Sequence, residues 1–150
     1  MAYLRVWIQV VWSTKNREPL INSSELRQKL FQHIGENASN KNIHLDCVNG
    51  ASDHVHALVS LGPDQTIAKV AQLLKGESSH WFNQQNLIVG KFEWQDDYFA
   101  ASVSDSAVSQ VRNYIHNQEE HHRKKTFSEE VGELMRLYGF SANSMHYVRG

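Results

Sequence analysis

Asn42-Ile43-His44-Leu45-Asp46-Cys47-Val48-Asn49-Gly50-Ala51-Ser52-Asp53-His54-Val55-His56-Ala57-Leu58-Val59-Ser60-Leu61 reads as two strands folded against each other, and the remaining elements arrange themselves around that pair. Asn42 to Val48 and Ser52 to Leu61 have strand composition, and Asn49-Gly50 between them is a turn signal. In the second strand Val55, Ala57, Val59 and Leu61 share one parity, and His54, His56, Leu58 and Ser60 share the other. Side chains alternate across a strand, so the apolar row is expected to face the core while both histidines project together from the opposite face.

Outward from the hairpin the signals alternate between periods. Leu4, Val6, Ile8, Val10 and Trp12 occupy one parity of a first strand, opposite the mixed set Tyr3, Arg5, Trp7, Gln9 and Val11. Asn22-Ser23-Ser24-Glu25 offers a helix cap, followed by Leu26, Leu30 and Ile34 at helical spacing. Beyond the hairpin, Gly62-Pro63-Asp64 breaks the strand, and Thr66 can cap a helix carrying Ile67, Val70, Ala71, Leu74 and Trp81. Tyr98 to Ser104 supplies a fourth strand. Asp105 or Ser106 then opens a helix over about 105–122 with Val108, Val111 and Ile115 on its stripe. Thr126-Phe127-Ser128-Glu129 is a capping box for a final helix over about 127–139. The order predicts an α+β fold, a ferredoxin-like βαββαβ antiparallel sheet with C-terminal helices. A single domain over residues 1–150 is expected, with its core over about 1–104 and one sheet face left open.

Composition narrows the function classes. A chain of 150 residues with 41% hydrophobic content can bury one sizeable core. Its formal net charge of −1 argues against a general polyanion-coating protein, so any nucleic-acid contact must be local. Lys15-Asn16-Arg17 and Arg123-Lys124-Lys125 are the candidate basic patches. Cys47 is the single cysteine, which excludes an intramolecular disulfide framework and fits a reducing cytosol. Arg5 interrupts the N-terminal apolar alternation, so no signal peptide is expected there, and no run of about eighteen apolar residues suggests a membrane span.

The chemistry concentrates in His54-Val55-His56, Tyr114 and Gln118. Two imidazoles on one strand face can grip one cation, and an amide oxygen adds a third donor while leaving positions open on a divalent ion. An open position is where a phosphate oxygen binds. Tyr114 and Gln118 stand at i, i+4, which would put phenol and amide on one face of a helix. A free phenol, with a pKa of about 10, is a poor nucleophile at neutral pH, and a metal that polarises the phosphodiester compensates for that. The product would be a phosphotyrosine link that preserves the bond energy for rejoining. Each element also has a plainer reading, as surface imidazoles on a strand or a packing tyrosine on a helix edge. Asp53, on the opposite parity, suits a turn or an outer hydrogen bond to a ligand, and His121 an outer role at most. Lys75 reads as solvated, and Trp94 as packing at the core edge.

Taken in order, Val11-Trp12-Ser13-Thr14-Lys15, Asp53-His54-Val55-His56-Ala57-Leu58-Val59-Ser60, Leu73-Leu74-Lys75-Gly76-Glu77-Ser78-Ser79, Phe92-Glu93-Trp94-Gln95-Asp96-Asp97-Tyr98 and Tyr114-Ile115-His116-Asn117-Gln118-Glu119-Glu120-His121-His122 resemble the single-tyrosine HUH transposases of small bacterial insertion sequences, the TnpA type of the insertion-sequence 200/605-like family. The resemblance spans nearly the whole chain. It implies a cytoplasmic bacterial enzyme of a mobile element, with His54, His56 and Gln118 holding Mg²⁺ or Mn²⁺ and Tyr114 as nucleophile. It also implies cleavage and rejoining of single-stranded DNA with hairpin ends through a 5′-phosphotyrosine. A homodimer is implied too, in which Tyr114 could complete the partner's site in trans. Two alternatives stand beside it. One is a domesticated repeat-associated tyrosine endonuclease. The other is a non-catalytic single-stranded nucleic-acid-binding protein using Tyr3, Arg5 and Trp7 on an open sheet face.

Overall fold

In a computed structural model, which describes residues 3–118, 120 and 125–137, the strands are β1 (Trp7–Ser13), β2 (His44–Gly50), β3 (His54–Ser60) and β4 (Phe99–Val103). The helices are α1 (Ser24–Asn40), α2 (Ile67–Gln84), α3 (Val108–His116) and α4 (Phe127–Leu137), with short 3-10 turns at Lys15–Arg17 and Asp105–Ala107. The sheet runs β2-β3-β1-β4 and every pairing is antiparallel, the order that a ferredoxin-like βαββαβ unit requires. The fold class is as expected.

The apolar parity rows meet α1 and α2 on one side. Ile8, Val10 and Trp12 of β1 and Val55, Ala57 and Val59 of β3 join Leu30, Ile34, Val70, Leu74 and Phe82 in one buried cluster. Both helices start where capping chemistry says they should: Ser23 accepts from the Leu26 amide, and Thr66 from the Lys69 amide. Trp94 packs edge-on to Trp12 with ring centroids 5.8 Å apart, and its indole N–H donates to Ser78 at 3.0 Å.

The other sheet face departs from expectation, because it is covered. Val11, Phe99 and Ala101 pack against Leu134 of α4, while Cys47, Leu58 and Val103 pack against Val108 and Ile115 of α3. The reason lies in the mixed parity rows: an aliphatic side chain in each of several strands cannot be left against water without forfeiting its transfer free energy. Of the residues named for a stacking platform, Tyr3 remains exposed. Trp7 is half-buried in the α3 cluster, and Arg5 reaches Asp105 at 3.4 Å.

Other boundaries shift for local reasons. Asn49-Gly50 is the end of β2, and the chain turns at Ala51-Ser52-Asp53. A Cβ on Gly50 would lie 2.1 Å from the His54 carbonyl oxygen, so glycine here serves close strand approach. The Asn49 amide reaches across to cap α3, donating to the carbonyls of Ile115 at 3.0 Å and His116 at 3.1 Å. The tyrosine helix is shorter than expected. It ends at His116 and turns at Asn117, so Gln118 follows the turn instead of continuing the same helix. The final helix runs at least to Leu137, and its expected end near Gly139, like His121, Arg123 and Lys124, lies outside the described residues. Lys75 is buried at 9% exposure, with its ammonium donating to the carbonyls of Asp96 and Asp97 at 2.8 and 3.2 Å, which corrects its reading as solvated.

Candidate active site

His54 and His56 stand on β3 opposite Ser13 and Val11 of β1, on the face that α3 and α4 cover. Neither has any measurable exposure, and their rings pack at a 5.1 Å centroid separation. A buried imidazole needs partners for both nitrogens. His54 Nδ1 donates to Asp53 Oδ1 at 2.8 Å, which aims Nε2 into the cluster, where Gln118 Oε1 lies 3.0 Å away. His56 Nδ1 meets the Gln9 side-chain amide at 3.1 Å, so its Nε2 also faces inward. Asp53 thus makes a hydrogen bond to His54 from the neighbouring position.

Tyr114 comes from α3 and lies edge-on to His56, with ring centroids 5.5 Å apart. Gln118 is fully buried, and its Nε2 donates to the Tyr114 carbonyl at 3.3 Å, so the turn at Asn117 brings the amide under the phenol. His54, His56, Tyr114 and Gln118 of one chain therefore meet in one place.

Glu130 of α4 enters the same cluster, and the sequence reading did not single it out. It is 3% exposed; its Oε2 lies 3.1 Å from His54 Nε2, its Oε1 lies 3.1 Å from His56 Nε2, and the Tyr114 hydroxyl donates to Oε1. A sequence signal existed. Val131 and Leu134 follow Phe127 at helical spacing, and Glu130 interrupts that apolar stripe instead of lying on the solvent side. Thr126 caps this helix by accepting from the Glu129 amide at 3.2 Å, as the capping box predicts.

The electrostatics follow from burial and these contacts. Burial alone would lower the His54 pKa, yet Asp53 and Glu130 outweigh it and raise the value to about 9. Burial would raise Glu130, but the hydrogen bonds from His54 and His56 hold its carboxyl well below the usual carboxylate range. Burial and the neighbouring Glu130 push the Tyr114 phenol far above its ordinary value. Without a metal, the cluster is thus a protonated His54 and an ionised Glu130 in contact, with His56 against the same carboxylate and a protonated phenol beside it.

The donor set fits a divalent ion. One ligand atom each from His54, His56 and Glu130 lies within 4.8 Å of the others, and the Gln118 amide oxygen borders His54. Two imidazoles with oxygen donors suit a first-row divalent cation, and the Asp53 contact is the outer carboxylate that commonly orients a metal-binding histidine.

Among the described residues of the two basic patches, Lys15, Arg17 and Lys125 each have a partner within the chain. Lys15 pairs with Glu93 at 3.2 Å beside a cleft of about 740 Å³ bordered by α2 and residues 91–98. Arg17 donates to Ser128, and Lys125 pairs with Glu133. Among the described residues no helix is long and apolar enough to cross a membrane.

Comparison with known proteins agrees with this geometry. Among curated proteins, the ISDra2 transposase TnpA of Deinococcus radiodurans is 25% identical over 114 residues, covering 73% of this chain and 81% of that one. A crystal structure described as a putative transposase from Deinococcus radiodurans superposes with a TM-score of 0.63 at 23% identity, over 79% of this chain and 95% of that one. A REP-associated tyrosine transposase bound to a REP hairpin superposes with a TM-score of 0.60 at 12% identity, over 81% and 71%. At such identities the two superpositions speak for the fold. The family described as "Transposase IS200 like" (Y1_Tnp) matches residues 2–118, a span holding His54, His56, Tyr114 and Gln118, and the chain belongs to this family of DNA-transposing enzymes.

Proposed function

We propose that this chain cleaves and rejoins single-stranded DNA through a 5′-phosphotyrosine formed at Tyr114, assisted by a divalent metal held by His54, His56 and Gln118. The observation that carries the reading is the meeting of phenol, both imidazole Nε2 atoms and the Gln118 amide in one buried cluster of a single chain. Because the tyrosine already borders its own histidines, the reading assigns Tyr114 to the site of its own subunit. In a homodimer of the kind the family resemblance implies, each subunit would then be self-sufficient.

The residues divide the work. Asp53 and Gln9 hold the ring orientations, so both Nε2 atoms converge without a search over rotamers. Asn49 and Arg112 tie α3 to β2, the latter through a fork to Asp46 at 2.8 and 2.9 Å, which fixes the height of Tyr114 above the sheet. In the cleavage step the Tyr114 oxygen forms a bond to phosphorus and the bond from phosphorus to the 3′ oxygen breaks. The phenolic proton is lost to solvent, and the departing oxygen gains one to become a 3′ hydroxyl. Attack by a 3′ hydroxyl on the phosphotyrosine reverses the sequence and restores the phenol, so no external energy source is consumed. Bound Mg²⁺ or Mn²⁺ supplies polarisation of the phosphate and offsets its charge.

The substrate end is read as a DNA hairpin, supported by the structural relative bound to a REP hairpin. The same relative supports the narrower alternative of a domesticated repeat-associated endonuclease, which shares the chemistry and differs in its DNA. A protein acting on chromosomal DNA of a bacterium works in the cytoplasm. The test is a denaturing gel of protein with single strands from the DNA flanking its gene, in Mn²⁺. Wild type should give a covalent adduct and Tyr114→Phe none while still binding the strand; an undiminished Tyr114→Phe adduct would remove Tyr114 from the nucleophile's role.

A further inference from the structure

We infer that Glu130 is a built-in occupant of the phosphate position, so that α4 must release this carboxylate before DNA can be cut. The inference rests on the proposed chemistry of the His54, His56 and Tyr114 cluster and adds a gate to it.

Three observations point this way. The two Glu130 oxygens each take one imidazole, at 3.1 Å to His54 Nε2 and 3.1 Å to His56 Nε2, and Oε1 also accepts the Tyr114 hydroxyl. A scissile phosphodiester must present one oxygen toward the histidine side while its phosphorus stands next to the phenolic oxygen. The carboxylate therefore spans the two groups the phosphate has to span, with the same sign of charge. Second, the position is sealed. Glu130 is 3% exposed, and His54, His56 and Gln118 show none, so no phosphate can reach the imidazoles while α4 lies where it does. Third, the seal is made by a separate element. α4 follows α3 in the chain and is held on the sheet through Val131 and Leu134 packed on Val11, Phe99 and Ala101, outside the main core of α1 and α2. An element held by a small satellite cluster can leave without unfolding the rest.

Two other roles for Glu130 make opposite predictions. As a permanent metal ligand it would take one of the positions that substrate needs, and its loss would weaken metal binding about 10–100-fold. As the acceptor of the phenolic proton it would be required for adduct formation. An occupant instead suppresses DNA access in proportion to the closed population, so its removal raises apparent affinity and rate together.

The experiment compares wild type, Glu130→Gln and Leu134→Ala for Mn²⁺ affinity by calorimetry, oligonucleotide affinity by fluorescence anisotropy, and initial rate of adduct formation. Leu134→Ala loosens α4 and keeps the carboxylate. Thermal melts of each variant establish that it is folded. Both variants are expected to bind the oligonucleotide about 5–10-fold more tightly and to form adduct faster by a similar factor, with Mn²⁺ affinity held or improved. A Glu130→Gln protein that loses Mn²⁺ affinity would make Glu130 a ligand; one that keeps Mn²⁺ and loses the adduct would make it a proton acceptor; either overturns the inference. If no variant forms an adduct, the parent reading fails, and the anisotropy arm still decides whether Glu130 blocks DNA: unchanged affinity in both variants overturns the gate.

Discussion

The two faces of one sheet are built on opposite principles. Toward α1 and α2, β1 and β3 present Ile8, Val10, Trp12, Val55, Ala57 and Val59, and burial alone stabilises the arrangement. Toward α3 and α4, the same strands present Gln9, His54 and His56, equally hidden but held by named partners: Asp53, Gln118 and Glu130. Equal burial therefore has unequal meaning. An apolar side chain loses nothing by being enclosed, whereas each imidazole needs its hydrogen bonds replaced or its stability contribution turns negative. The larger apolar cluster lies on the first face and the candidate catalytic groups, among two smaller apolar clusters, on the second, although one pleated backbone carries both.

The sharpest way to break this division is Trp12→Ala. Removing a side chain that is 1% exposed at the centre of the α1/α2 face should cost about 3–5 kcal/mol, while the folded fraction keeps its adduct-forming ability. Denaturant unfolding alongside the adduct assay checks both halves. A loss below about 1 kcal/mol would mean that the stability does not reside there.

A smaller effect is expected from Asp53→Asn on the opposite face. The amide keeps the volume but offers no negative charge to His54 Nδ1, so Mn²⁺ affinity should fall about 10–100-fold with little change in unfolding midpoint. Calorimetric titration measures the first and a melt the second; unaltered Mn²⁺ affinity would detach Asp53 from the site.

The smallest effect is expected at the seam where α3 meets β2. Arg112 holds the Asp46 carboxyl below its ordinary value, against a lesser opposing effect of burial. A depressed carboxylate contributes stability above its unfolded pKa of about 3.9 and loses it as pH falls through the lower folded value. Arg112→Ala should therefore lower stability across the neutral range and flatten the acid limb below about pH 4, so that variant and wild type converge at the acid end. Melts between about pH 2.5 and 7 test this, and an acid limb identical to wild type would exclude the pair from acid stability.

Much of the architecture was legible because it rests on local periodicity. The parity of Val55, Ala57 and Val59, the caps at Ser23, Thr66 and Thr126, and the break at Gly62-Pro63 are properties of neighbouring residues. The errors came where distance along the chain mattered. Asn49-Gly50 looked like a turn because the pair usually makes one, but Gly50 is needed for the approach of β3, and Asn49 is used by α3. Lys75 looked solvated because a lysine's surroundings cannot be read from its sequence neighbours; the carbonyls of Asp96 and Asp97 take its ammonium. The histidines' face looked open because nothing in β3 itself shows what arrives from residues 108–134.

The sequence by itself determined the βαββαβ order, the common face of His54 and His56, and the chemical types of the candidate groups, since period and residue identity are local properties. Only the tertiary structure decided that this face is closed, that Tyr114 and Gln118 approach from either side of a turn, and that Glu130 stands between the phenol and the imidazoles. Those outcomes depend on where α3 and α4 pack. That packing is set by the surface the strands present jointly, Val11 and Leu58 with Phe99, Ala101 and Val103, and such a surface exists only after the sheet has formed.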